Sequence, residues 1–402
     1  MALPTTLTSY AWSVDGIAWV GPFISSAGNV YVLGYNSGST RLSYWKATDP
    51  TSSFTETSIA TGQVVNSIAA HQVGDVVHVI AGYGSGQYVY VTLDMSTDTT
   101  GSLQITAGLT PKNYSGGIAK RSTGGDVIVF YNATGQTVMG KTYGRVAAKR
   151  IAGGTTAGAV TTIGLAPTDT TTQQYESVDG VMLASSDRVH LFWTQGNATA
   201  GSSDTLKGRC VKSSDNLDGT APATAAYNVS TSTLATGAVD GPQHDAGQAF
   251  LSSGNVIGLP MYSGTTPALA TASDADTPTW SIGGVASTGA NPGAIGNTAR
   301  CGRLAGAPYD GTNKAYGWVD QFSINHNPMY DQDTGSGFGT DQTIASVAAV
   351  GMSANVYTRA GNVVLAVVYD SSGTYVYNEV VLRAAAAGQV PYVNPMPQLL
   401  AQ

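Results

Sequence analysis

The stretch SSAGNVYVLGYNSG, residues 25–38, decides the fold, because variants of it return along the whole chain. Most copies begin with a Gly-Asn or Gly-Asp turn, continue as an apolar run and end in a second cluster of small turn residues. This pattern is typical of a β-hairpin. The other copies are GDVVHVIAGYGSG (74–86), GDVIVFYNATG (125–135), SDRVHLFWTQG (186–196), GNVIGLPMYSG (254–264), GTNKAYGWVDQ (311–321) and GNVVLAVVYDSSG (361–373).

The copies start 46 to 68 residues apart, a period that suits the four-stranded blades of a β-propeller. A short segment rich in Gly, Ala and Ser precedes each copy, as NSIAA (66–70) does, and small side chains suit strands that crowd a central axis. We therefore predict an all-β propeller of seven antiparallel blades, with six as the alternative because the copy at 311–321 is the weakest. The predicted blade units begin near residues 16, 66, 115, 179, 245, 301 and 345.

The last unit provides TYVYNEVVLR (374–383) and then leaves strand-like sequence. Its missing outer strand is predicted to come from the amino-terminal TTLTSYAWS (5–13), which would close the ring within a propeller domain of residues 1–385. Residues 197–240 and 262–300, rich in Gly, Ser, Thr and Ala, are predicted to be insertions that project as contact loops.

Composition narrows the function classes. The chain has 402 residues, a net charge of −7 and only 11% charged residues. A negative net charge argues against a protein that binds nucleic acid through a positive electrostatic potential. Cys210 and Cys301 cannot build a disulfide framework and are expected to be small core residues. The amino terminus lacks the pattern of a secretion signal, and no apolar run reaches membrane-spanning length, so we expect no membrane insertion.

The turns after the third predicted strands share a second pattern, as in ATDPTSSF (47–54), STDTTGSL (96–103), SSDNLDGT (213–220) and DQDTGSGF (331–338). The set resembles the Asp-box of sialidase-like propellers. The resemblance implies that the aspartate accepts backbone N–H bonds to fix the turn and that the aromatic residue packs between blades. The positions it covers are Asp49, Phe54, Asp98, Asp215, Asp333, Gly335 and Phe338, and Trp280 ends a fifth stretch, SDADTPTW (273–280), whose aspartates are out of step.

The resemblance does not extend to a sialidase active site. That site would need an arginine triad, but the early stretch WVGPFISSAG (19–28) has no arginine and Arg41 falls in a predicted third strand. The chain has three glutamates, and the pair Tyr175-Glu176 is interpreted as a strand edge. We therefore predict a protein that is not an enzyme and has no catalytic residues, with a glycoside hydrolase as the alternative.

Two further clusters are candidates for ion or partner contacts. Asp331 and Asp333 could offer oxygen atoms to Ca²⁺, but they are expected to stabilise their own turn, and we predict no metal and no cofactor. The five histidines show no metal-ligand spacing. The basic stretch GKTYGRVAAKR (140–150) could contact an anion or an acidic partner, although a solvated strand is the favoured interpretation; its cations are Lys141, Arg145, Lys149 and Arg150.

The carboxyl end, AAAAGQVPYVNPMPQLLAQ (384–402), has three prolines that interrupt a regular strand or helix, yet it remains apolar. Residues 386–402 are predicted to be an extended arm that docks on another subunit or partner. Its contact residues would be Pro391, Tyr392, Val393, Met396, Leu399 and Leu400.

A β-protein rich in Thr, Gly, Ser and Ala with such an arm looks like a virion component of tailed bacteriophages, of the nozzle, tail or decoration type. This likeness implies a structural part that forms homo-oligomers and contacts other tail or capsid proteins, with transient passage of DNA and assembly in the host cytoplasm. The alternative is a glycan-binding or glycan-cleaving propeller that recognises a host receptor. Its sugars would stack on Trp45, Trp193, Trp280 and Trp318, although the blade repeat explains most of these as core.

Overall fold

The computed structural model shows β-strands and turns throughout the part of the chain that it describes. Within that part no helix is long and apolar enough to cross a membrane. The described residues are 3–9, 19–62, 64–83, 87–105, 116–122, 124–138, 141–153, 156–164, 174–183, 187–197, 205–230, 249–252, 254–263, 266–284, 305–310, 313–319, 327–334, 337–347, 349–371 and 373–384.

The strands form seven antiparallel sheets, which we call blades 1 to 7 in chain order. Blade 1 contains β2 (Trp19–Ile24), β3 (Val30–Asn36), β4 (Arg41–Ala47) and β5 (Thr55–Thr61); blade 2 contains β6 (Val65–Val73), β7 (Val76–Tyr83), β8 (Gln87–Asp94) and β9 (Thr99–Ile105). Blade 3 contains β10 (Gly116–Lys120), β11 (Val127–Val138), β12 (Lys141–Ala152) and, sharing the outer position, β13 (Thr156–Ala157) and β14 (Thr161–Thr162).

The remaining blades repeat the same order from the inner to the outer strand. Blade 4 contains β15 (Gln174–Leu183), β16 (Val189–Asn197), β17 (Thr205–Val211) and β18 (Tyr227–Ser230); blade 5 contains β19 (Phe250–Ser252), β20 (Val256–Ser263), β21 (Thr266–Ser273) and β22 (Ser281–Gly284). Blade 6 contains β23 (Ala305–Asp310), β24 (Asn313–Val319), β25 (Pro328–Asp333) and β26 (Gln342–Thr343); blade 7 contains β27 (Ala349–Arg359), β28 (Asn362–Ser371), β29 (Thr374–Arg383) and β1 (Thr5–Ser9).

The ring is a seven-bladed β-propeller closed by the amino-terminal strand, as the repeats predict. Each innermost strand contacts the innermost strands of its two neighbours, and β27 of blade 7 contacts β2 of blade 1. The closing strand β1 pairs with β29, with Thr5 opposite Tyr377. The turn glycines that mark the repeat, Gly28, Gly74 and Gly361, have positive φ, which explains the Gly-Asn and Gly-Asp dipeptides.

The core lies between the blades, because strand alternation sends neighbouring side chains to opposite sheet faces. Val30 packs toward blade 7, in the cluster with Tyr375 and Tyr377, whereas the next residue, Tyr31, packs toward blade 2. Comparable clusters join blades 2 and 3, 3 and 4, 4 and 5, and 6 and 7. Burial at these contacts, which we call seams, holds the ring together at roughly 25 cal/mol for each Å² of apolar surface removed from water.

The predicted insertions in blades 4 and 5 are wrong in part. The stretch 197–240 contains β17 and β18, and the stretch 262–300 contains β21 and β22, so both supply the outer strands of their own blades. The outer strands β18 and β22 escaped notice because each has only four residues, and β22, SIGG, is exposed along its whole length. The predicted arm, residues 386–402, lies outside the described residues.

The two ends of the ring differ. One end, the turn face, carries the hairpins between first and second strands and the turns between third and fourth strands. The other end carries the hairpins between second and third strands and the crossings to the next blade, much of which lies outside the described residues.

Candidate functional site

The turn face carries polar clusters at the seams, and one position organises them in blades 1, 2 and 4. Tyr31, His78 and His190 are equivalent residues of blades 1, 2 and 4. Each follows a valine that packs on the preceding blade, and each faces the following blade. At Tyr31 and His190 the turn between the third and fourth strands of the following blade approaches this position, so two distant parts of the sequence meet there.

Seam 4/5, between blades 4 and 5, holds one of these clusters. His190 Nδ1 lies 2.9 Å from the Tyr227 hydroxyl, and its Nε2 lies 3.0 Å from Asp274 Oδ1 in the turn of blade 5. Arg188 donates from Nη1 to Asp274 Oδ2 at 3.0 Å and from Nε to Asp276 at 2.9 Å. The buried imidazole is thus held between a hydroxyl and a carboxylate, and the arrangement joins the two blades.

The outer part of the same cluster is accessible. Lys212 Nζ lies 2.5 Å from Asp276, and the side chains of Arg188, Lys212 and Asp276 are 31%, 39% and 42% exposed. Hydrogen bonds from Lys212 and then from Arg188 hold the pKa of Asp276 below its ordinary value, so the carboxylate stays ionised. Half-buried Trp280 belongs to the same seam, with its ring 5.8 Å from Phe192 and 6.5 Å from Tyr227. The seam therefore contains accessible charged groups and a half-buried aromatic ring.

Seam 1/2 repeats the arrangement with different residues. The Tyr31 hydroxyl donates to Met95 O at 2.8 Å and to Asp98 Oδ1 at 3.0 Å, and Lys46 Nζ lies 2.6 Å from Asp98 Oδ2. Serine–aspartate bonds also link neighbouring hairpins on this face. Asp75 accepts from Ser26 N and Oγ at 2.6 and 2.5 Å, joining blades 2 and 1.

Seam 2/3 contains two histidines that face each other across β6 and β7. His71 is the strand partner of His78, and His71 Nδ1 accepts the backbone N–H of Lys120 from blade 3 at 2.9 Å. His78 Nδ1 lies 2.7 Å from the Tyr90 hydroxyl. Burial, with a smaller contribution from Lys120, lowers the pKa of His71 to about 4 and that of His78 to about 3, so both rings are neutral at pH 7.

Blade 7 contains a buried carboxylate that the sequence analysis did not predict. Glu379 Oε1 accepts from the hydroxyls of Tyr357 and Tyr377 at 2.5 and 2.6 Å, and Arg359 donates from Nε to Oε2 at 2.8 Å. Burial raises the pKa of both tyrosines well above the ordinary value, so the hydroxyls remain protonated donors. These four residues come from two strands, β27 and β29, and share no sequence motif. The sequence therefore did not indicate that they form a cluster.

The aspartates predicted to fix turns take two different roles. Asp49 accepts Thr51 N at 2.9 Å, Asp215 accepts Lys212 N at 2.8 Å, and Asp333 accepts Gly337 N at 3.0 Å. In blade 2 the turn is instead fixed by Asp94, which accepts Ser96 N at 2.9 Å, while Asp98 faces Lys46 across the seam.

The predicted turn aromatics also differ in their neighbours. Phe54 lies on Tyr377 of blade 7 and Trp280 on residues of blade 4, whereas Phe338 lies on Tyr316 of its own blade. Gly335 lies outside the described residues.

Among the described residues no group of three or more His, Cys, Asp or Glu side chains could hold a metal ion. Asp331 is buried and accepts from Gln332 N at 2.6 Å and Gly339 N at 3.2 Å. Burial raises its pKa, an effect partly opposed by these two hydrogen bonds. The carboxylates of Asp331 and Asp333 thus serve their own turn.

The basic stretch lies on β12, the third strand of blade 3. Lys149 is buried rather than solvated, and burial lowers its pKa. Arg150 Nε lies 2.8 Å from Asp126, and its Nη1 donates to Asn216 of blade 4 at 3.2 Å. The side chains of Lys141 and Arg145 lie outside the described set, as do those of Tyr175 and Glu176. Cys210 is a buried free thiol, and burial raises its pKa to about 12.

Comparison with solved structures supports the propeller scaffold, and no family profile or curated sequence matches the chain. It is similar to the BP39L lectin of Burkholderia pseudomallei, with a TM-score of 0.57 and 13% identity over 95% of this chain and 99% of the lectin. It is also similar to an α-L-arabinanase of Penicillium chrysogenum complexed with arabinobiose, with a TM-score of 0.50 and 12% identity over 82% of this chain and 97% of the arabinanase. A third similar structure is the Cps50 (Swd1) propeller domain of Myceliophteria thermophila, with a TM-score of 0.52 and 9% identity over 93% of this chain and 99% of that domain.

These comparisons correct the predicted function. The interpretation as a bacteriophage virion component is wrong, because the similar propellers include a lectin and a glycan-active enzyme and provide no link to a virion. That interpretation rested on composition and an apolar carboxyl end, neither of which is specific to one class of protein. The likeness shows a propeller and does not single out the Asp-box class. Homo-oligomer formation stays a prediction.

Proposed function

We propose that this protein is a glycan-binding propeller. The observation that carries the proposal is the similarity to a lectin over almost the full length of both chains. Seam 4/5 offers what sugars need: an aromatic ring for the C–H face of a pyranose, and charged groups that can bond to hydroxyls. We place the binding surface on Trp280, Arg188, Lys212 and Asp276. The turns at Asp49, Asp215 and Asp333 act as Asp-box-like supports of the scaffold.

A glycan array followed by calorimetry of the best ligand tests the proposal. The variants Asp276→Asn and Lys212→Met change exposed groups and spare Trp280, whose packing on Phe192 and Tyr227 contributes to the core. We expect each to weaken binding about tenfold, the effect of roughly 1.4 kcal/mol. Asp98→Asn is the matched control, because Asp98 is similarly exposed in an ion pair at seam 1/2. Equal affinity of all variants would remove seam 4/5 as the site, and no binding to any glycan would refute the function.

Glycan cleavage is the second candidate, supported by the likeness to the arabinanase over 97% of that chain. Cleavage by a glycosidase requires two carboxyl groups on either side of the scissile bond. Incubation of the protein with polysaccharides and measurement of new reducing ends distinguishes the two functions. Release of reducing ends in proportion to protein concentration would establish cleavage, and stable binding without release would establish a lectin.

A further inference from the structure

Seam 2/3 lacks a group that the equivalent seam 4/5 contains. His78 and His190 occupy equivalent positions, and each has Nδ1 within hydrogen-bond distance of a tyrosine hydroxyl. At seam 4/5 the other nitrogen meets Asp274 of the following blade at 3.0 Å. At seam 2/3 the His78 ring is only 4% exposed, and its Nε2 has no hydrogen-bond partner. An unsatisfied buried N–H costs about 1–3 kcal/mol, so this position needs an explanation.

Strand register identifies what stands in place of Asp274. In blade 5 Ile257 pairs with Ala272, two residues before Asp274. In blade 3 Val127 pairs with Ile151, two residues before Gly153. Val127 and Ile257 both pack on the preceding blade, so Gly153 is the equivalent of Asp274. A Cβ built on Gly153 meets nothing within 4 Å, so the space that a carboxylate would enter is open.

The histidines and Lys120 supply hydrogen-bond donors at this seam, and one carboxylate, Asp126, accepts from Gly153 N at 3.1 Å and pairs with Arg150. Because His71 Nδ1 accepts the Lys120 backbone N–H, the proton of the neutral His71 ring is on Nε2. Tyr90 lies opposite His78 Nδ1 as Tyr227 lies opposite His190 Nδ1, and in the tautomer in which the hydroxyl donates, the His78 proton is on Nε2, the nitrogen that faces the carboxylate at seam 4/5. The Lys120 side chain adds a positive charge close enough to lower the pKa of both rings. The titratable groups on the packed strands are therefore His71, His78, Tyr90 and Lys120, together with Lys149, which is buried on β12 opposite Val129, and Asp126 beside Gly153.

From this geometry we infer that seam 2/3 binds a carboxylate, which occupies the place that Asp274 fills at seam 4/5 and accepts from His78 Nε2 and Lys120. If the proposed glycan-binding function holds, on which this part rests, the carboxylate is that of an acidic sugar. A bound carboxylate favours the protonated imidazole, so binding takes up a proton and tightens as the pH falls, by up to about tenfold per pH unit.

The test follows the histidine ring signals by NMR and the binding heat by calorimetry during titration with D-glucuronate, with acetate and with glucose as the neutral control. We expect glucuronate to shift the His78 signals and glucose to leave them unmoved. The variant Gly153→Asp supplies the carboxylate from the chain itself, at a φ of +56° that aspartate tolerates, and is expected to abolish the response. Asp98→Asn at seam 1/2 is the control variant and should respond like the wild type.

The outcomes separate this inference from the proposed function. A His78 response to glucuronate and acetate without binding of any oligosaccharide would support the carboxylate site and refute the glycan-binding function. Glycan binding with silent His78 signals would support the function and refute the site. A response of Gly153→Asp equal to that of the wild type, or an equal response to glucose, would also overturn the inference.

Discussion

The neutral histidine at seam 2/3 should make the stability of the propeller depend on pH, and the variant His78→Gln isolates this effect. The pKa of His78 is lowered to about 3 by burial, then by Lys120 and His71, against an ordinary value of 6.5. Its neutral form is therefore the one that the folded protein accommodates. The stabilising contribution is fully present above pH 6.5 and is lost as the pH falls toward 3, because the unfolded chain binds a proton that the folded protein excludes.

The size of the effect follows from the two pKa values. Each pH unit below 6.5 removes about 1.4 kcal/mol, so the change from pH 7 to pH 5 removes about 2 kcal/mol of unfolding free energy through His78 alone. The ring is almost fully buried, so solvent screening reduces this figure little. Glutamine does not titrate in this range. The titratable groups that both proteins share, including His71, contribute nearly equally to both unfolding free energies, so their contributions cancel in the difference.

Urea unfolding monitored by tryptophan fluorescence measures the difference. The unfolding free energies of wild type and His78→Gln are determined at pH 7 and pH 5 in acetate-free buffer, because acetate is a candidate ligand of seam 2/3. We expect the advantage of the wild type at pH 7 to shrink by about 2 kcal/mol at pH 5. An advantage that stays constant within about 0.5 kcal/mol would refute the assignment of His78 as a buried neutral group.

Three further perturbations test the packing of the ring. Gly208→Ala would place a Cβ 2.3 Å from the Tyr227 ring and should lower the unfolding free energy by about 1–3 kcal/mol. Gly283→Ala, on an exposed strand, is the control and should change it little. An equal effect of the two variants would contradict the tight contact at Gly208. Glu379→Gln removes the charge that Arg359 pairs with, and we expect a loss of about 3 kcal/mol, measured as a lower thermal midpoint; an unchanged midpoint would show that the pair is not needed. Leu7→Ala opens the closing contact of blade 7 and should cost about 2–3 kcal/mol and speed proteolysis, with no change in proteolysis arguing against closure by β1.

The sequence predicted the scaffold because its signals are local. Turn dipeptides such as Gly28-Asn29 fix each hairpin, and the apolar runs that follow must alternate between two seams. Counting these runs therefore counts the blades, and the unpaired last unit indicates closure by β1. The outer strands of blades 4 and 5 were missed because each has only four residues, too few to show the alternation of a strand, and β22 is also exposed along its length.

The polar clusters were decided by tertiary structure alone. Arg188 and Asp274 are 86 residues apart, and only the docking of blade 5 on blade 4 brings them to 3.0 Å. The same docking places Asp98 beside Lys46 and leaves Gly153 in the position of Asp274, a difference that becomes visible only when seams are compared by register. Repeats along the chain therefore determined how many sheets form and in which order. Which side chains share charge and hydrogen bonds depended on contacts between blades, because these join residues that no local pattern connects.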